Sequence, residues 1–94
     1  MNRVLTFGLA VKKYRLAKEL SQEKLAELSG LHRNLIGLVE RGKISASVES
    51  IFSICDALNI QPSALFLEVE AEIALAAAKP ANKPRTARKR SLEL

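Results

Sequence analysis

Of the side chains that commonly run reactions, the 94-residue chain has a single histidine, His32, and a single cysteine, Cys55. With no clustered metal ligands and no glycine-rich phosphate loop, no set of nucleophile, base and oxyanion donors can be assembled. The chain is therefore expected to lack catalytic and metal sites, to need no cofactor and not to be an enzyme. A different chemistry is on offer between positions 22 and 43. Arg33 and Asn34 stand side by side, followed by Gly37 and Leu38, with Gln22, His32, Arg41 and Lys43 around them. An arginine can hold guanine O6 and N7 with two parallel donors, and an asparagine amide fits adenine N6 and N7. The surrounding basic and amide groups suit phosphate oxygens, which position a partner without reading it.

Side chains of this kind act together only if rigid elements present them on one face. Leu31, Ile36 and Val39 are spaced to form one buried stripe of a helix from about 32 to 40, closed by Gly42. Arg33, Asn34, Gly37 and Leu38 fall on the opposite face. Before this helix, Ser21 is a plausible N-cap, and Leu20 with Leu25 forms a hydrophobic staple. Gly30 supplies the left-handed residue that ends the short helix so begun. Ala26 is small enough for a second helix to cross closely. Ala26, Gly30, Leu31, Ile36 and Val39 thus hold two short helices at a fixed angle, a helix-turn-helix over about 22–40.

The flanks are helical too. Phe7, Val11 and Tyr14 share one face of a first helix. Ser47 caps a fourth carrying Val48, Ile51, Ile54, Cys55 and Leu58, which Asn59 ends. Pro62 opens a fifth at the first helical position, extended over about 62–78 until Pro80 stops it. No stretch alternates with period two, so the class is all-α.

The composition, 48% hydrophobic and 27% charged, is that of a folded globular domain. Its net charge of +5 is localised: residues 1–78 hold nine basic and nine acidic residues, and residues 79–94 hold six basic residues against Glu93. A domain over 1–78 is therefore expected to carry a flexible basic tail over 79–94, either a solvated, solubilising end or an arm on nucleic acid phosphates. One cysteine in an apolar run suits a reducing compartment, the cytoplasm. The apolar run at 4–11 is short for an export signal, and nothing approaches the length of a membrane span.

Ser21-Gln22-Glu23-Lys24-Leu25-Ala26-Glu27, Gly30-Leu31-His32-Arg33 and Ile36-Gly37-Leu38-Val39-Glu40-Arg41-Gly42 closely resemble the Cro/repressor-like (XRE) family of bacterial and phage regulators. The resemblance covers roughly residues 5–67. It implies a five-helix, lambda-repressor-like domain whose third helix enters the major groove of double-stranded DNA, generally as a homodimer on a two-fold related operator. It adds Gly37 and Leu38 to Arg33 and Asn34 as base-facing positions. Gln22, His32, Arg41 and Lys43 are then phosphate candidates, although His32 stands where the family often has a Ser or Thr cap. Arg15 and Glu40 match positions that form a structural ion pair. The stretches at 30–34 and 39–42 look most like small members that include the controller proteins of restriction-modification systems.

A brief seam of Phe66, Val69 and Ile73 on the fifth helix is the expected dimer interface. A phage-type repressor, an antitoxin that also binds a toxin protein, and a module that binds protein without DNA are alternatives the residues leave open, as is RNA polymerase as a partner. A bacterial or phage-encoded regulator would work in the cytoplasm at the nucleoid, without membrane contact.

Overall fold

The structure, a computed structural model, describes residues 2–78. Five helices follow one another: α1 (Arg3–Ala17), α2 (Gln22–Ser29), α3 (Arg33–Glu40), α4 (Val48–Leu58) and α5 (Pro62–Ala77). The basic tail and Pro80 lie outside the described residues.

Local chemistry sets the boundaries. Asn2, Ser21 and Ser47 cap α1, α2 and α4, each side-chain oxygen accepting an N–H of the first turn at 3.0, 2.9 and 3.1 Å. Pro62 starts α5 where its missing N–H has no helical partner to lose. Four helices end in one way. Glu19, Gly30, Gly42 and Asn59 adopt positive φ, and the residue after each donates its N–H to a carbonyl five positions back. This is the Schellman closure, in which a left-handed residue turns the chain and satisfies an orphan carbonyl. Glycine and asparagine suit that conformation; Glu19 bears the Cβ penalty.

Val11, Leu25, Ile36, Ile54, Cys55, Leu58 and Leu65 are fully buried, one or more from each helix. Phe7, Tyr14, Leu20, Leu31 and Ile51 pack on this core from its margin. α1 lies against α3 and α5, and α2 against α3 and α4. At the α1–α3 crossing, Gly8 brings backbone against backbone. A Cβ there would overlap the Val39 carbonyl oxygen and come within 3.0 Å of the Glu40 main chain.

Val69 belongs to this core and is 6% exposed. Ile73 is half-buried against the core margin and Phe66 is 42% exposed, its ring 5.6 Å from that of Phe7.

Candidate nucleic-acid interface

Three helices are tied together directly beneath the exposed face of α3. Arg15, in the last turn of α1, donates from Nε to Glu40 Oε2 at 2.7 Å and from Nη2 to Glu40 Oε1 at 3.1 Å. Its Nη1 donates to the Leu20 carbonyl at 2.7 Å. Both side chains are almost wholly buried. Glu40 ends α3, where the helix dipole disfavours a carboxylate, so this fork of donors offsets both desolvation and dipole. Gln22 completes the group by donating from Nε2 to Glu40 Oε1 at 2.9 Å. An ionised carboxylate only accepts, so the amide nitrogen of Gln22 must face Glu40 and its carbonyl oxygen must face away.

Away from Glu40 lies a shallow cleft of about 280 Å³ bordered by Gln22, Arg33, Asn34, Gly37, Leu38 and Arg41. Arg33, Asn34 and Arg41 are exposed and Leu38 is half-buried. The four positions expected to face bases are thus on one face, with Gln22 of α2 across from them. Two guanidinium groups and two amides converge there, a donor-rich surface fit for an anionic, hydrogen-bonding partner.

This geometry sits inside a recognised family pattern. A helix-turn-helix family model of the XRE type matches residues 11–65, from the middle of α1 to the start of α5. The chain belongs to that family.

Among XRE-type helix-turn-helix proteins, the chain is similar to control protein C.SmaI of Serratia marcescens, 47% identical over 49 residues. That match takes in 52% of this chain and 58% of the control protein's own length. Control protein C.BamHI of Bacillus amyloliquefaciens is 45% identical over 62 residues, 65% of this chain and 76% of that protein. The crystal structure of the restriction-modification controller protein C.AhdI from Aeromonas hydrophila superposes with a TM-score of 0.66. The two share 46% identity over 67% of this chain and 96% of that one. The clp gene regulator ClgR of Corynebacterium glutamicum gives a TM-score of 0.76 at 29% identity, over 83% of this chain and 82% of that one. Proteins of this family are DNA-binding transcriptional regulators.

Other expected positions of the XRE-type domain fall into place differently. Ala26, Ile36 and Val39 are buried, Leu31 packs on the core margin, and Gly30 is left-handed at φ 74°. His32 is the N-cap of α3 but makes no cap hydrogen bond, and its ring is exposed. Lys43 is exposed beyond the end of α3. Two site residues have neighbours of their own. Gln22, half-buried at the edge of the cleft, commits one N–H of its amide to Glu40. Gly37 is buried, with the Arg41 guanidinium lying over it. The spacing carries a signal for the second contact: Gly37 and Arg41 are four apart, neighbours on a helical face.

No single described helix is long and apolar enough to cross a membrane. Among the described residues, no group of three or more His, Cys, Asp or Glu side chains could hold a metal ion.

Proposed function

We propose that this helix-turn-helix regulator acts as a homodimer, each copy laying α3 in the major groove of one half of a two-fold related operator, as a controller-type protein of bacterial or phage origin. The observation that carries the reading is the single face formed by Arg33, Asn34, Gly37 and Leu38, fixed to the core through Glu40 and Arg15. Arg33 and Asn34 read base edges from the start of α3, and Leu38 meets a thymine methyl. The N-terminus of α2, His32 and Lys43 border the groove and hold phosphates, which set register. Arg15 and Glu40 act structurally, by fixing the angle of α3.

Pairing follows from size, because one recognition helix covers too few base pairs for the discrimination a genome requires. The surface we assign to it is the apolar groove of about 310 Å³ whose border includes Val4, Phe7, Ile51, Phe66, Val69 and Ile73. Val69 forms its floor and Phe66 its exposed wall. Residues 1–78 make the DNA-binding domain, and the tail at 79–94 adds phosphate contacts without sequence preference. The site of action is the cytoplasm, at the nucleoid.

Selection of the full-length protein on a random duplex pool at near-physiological salt tests the reading. The expected product is an inverted repeat with half-site centres about one helical turn, roughly 34 Å, apart. Retention of DNA without a shared sequence, or no retention, would overturn it.

A further inference from the structure

Arg33, Gly37 and Arg41 stand at i, i+4 and i+8, one row along α3 and its cap with a gap where the middle side chain would be. The gap is filled from the far end. A Cβ built at Gly37 would lie 3.1 Å from Arg41 Nη1 and 3.6 Å from Gln22 Oε1. The Arg41 guanidinium is therefore folded back toward the start of α3, along the surface that carries Arg33 and Asn34. Gln22 Oε1 borders the same gap because Glu40 holds the other end of that amide. A residue just past the end of a recognition helix would ordinarily reach outward to a flanking phosphate. Here the missing side chain at Gly37 gives it a bed in the groove face instead.

We propose that Arg41 reads a base, as a bidentate donor to the O6 and N7 of a guanine, and that Gly37 and Gln22 are positioning residues that hold it there. The guanidinium of Arg41 then lies over Gly37, about 6 Å along α3 from Arg33 at 1.5 Å per residue. The readable row thus reaches past the base pairs next to Arg33. The inference rests on the operator binding proposed above and adds a specificity position to it. Gly37 also acquires a reason to be glycine inside a helix, where alanine is the better former.

The test compares the full-length wild type with Arg33→Ala, Arg41→Ala, Arg41→Lys and Gly37→Ala, each titrated against the selected duplex and all its single-base variants at fixed salt. Arg41→Ala is expected to erase preference at one G·C pair per half-site, different from the pair lost in Arg33→Ala, by about tenfold or more. Arg41→Lys should fail to restore it, since an ammonium lacks the fork. Gly37→Ala should lose the same preference while melting no lower than wild type, because only the mobile end of Arg41 has to shift. A uniform loss on every duplex with Arg41→Ala, together with a smaller salt slope, would assign Arg41 to a phosphate and overturn the proposal while leaving operator binding intact. Full preference in Gly37→Ala would overturn the positioning role, and a wild type that prefers no sequence would overturn both readings.

Discussion

Arg15 is held by three acceptor contacts in a place that water barely reaches, so its charge has no refuge if Glu40 is removed. Glu40→Ala, or Arg15→Ala, is expected to lower unfolding free energy by about 3–5 kcal/mol in urea titration, because each leaves an uncompensated buried charge. Replacing both with apolar residues of similar volume should recover most of the loss. The opposite case is Lys13, whose exposed ammonium is 2.7 Å from Glu68 and whose pKa is raised chiefly by that hydrogen bond. Such a surface pair is screened by salt and is not where stability resides. Burial pushes the Cys55 thiol above its ordinary value, with the nearby Asp56 carboxylate adding to the effect. The folded state thus keeps its proton where the unfolded chain loses it. The resulting stability is complete below the ordinary thiol pKa of about 8.5 and declines as pH rises from there through the folded value. Unfolding titrations at pH 7 and at pH 10 should show that decline, and Cys55→Ala should lessen it.

Helix by helix, much of the architecture can be read along the chain because it is made of local devices. Ser21, Gly30, Ser47, Asn59 and Pro62 each act within a turn of their own position, so residue type and spacing suffice to place them. Glu19 escapes such reading, since nothing about glutamate announces a left-handed residue. It is held there by the Schellman bonds after α1, from Glu19 N–H to Leu16 O at 2.9 Å and from Leu20 N–H to Arg15 O at 3.0 Å. Glu19→Gly should therefore stabilise the domain by about 0.5–1 kcal/mol in thermal unfolding, the penalty of a side chain at positive φ. Gly8 escapes for another reason: a glycine within a helix signals a close approach, but what approaches is decided at Val39, roughly 100 Å away along a fully extended chain at about 3.3 Å per residue. Gly8→Ala is expected to part α1 from α3 and to cost about 1–3 kcal/mol, with a matching loss of DNA affinity. At the candidate site, the exposure of Arg33 and Asn34 on the outer face of α3 is legible from helical phase alone. The inward turn of Gln22 and the backward fold of Arg41 are not, because each depends on what a partner helix or a missing side chain leaves room for.

For the molecule as a whole, the division between a charge-neutral body and a basic end makes separable predictions. Phe66→Glu sets a carboxylate on the exposed wall of the apolar groove and leaves the core intact, since Phe66 is 42% exposed. With two copies paired through this groove as proposed, sedimentation should report a monomer for the variant and a dimer for the wild type, and operator affinity should fall without a change in the preferred bases. Deleting residues 79–94 should instead flatten the dependence of log affinity on log salt and leave both dimer and preference unchanged. The crossing of α1 on α3 bears on how such a dimer meets its operator. Because Gly8 seats main chain on main chain, no side-chain rotamer at that crossing point absorbs a change of tilt. A reading head mounted that stiffly cannot lean toward an imperfect site. For the proposed dimer, a mismatch in spacing between half-sites then falls on the pairing surface or on the duplex, through bending or twisting, and flexible steps between the half-sites become part of what is recognised.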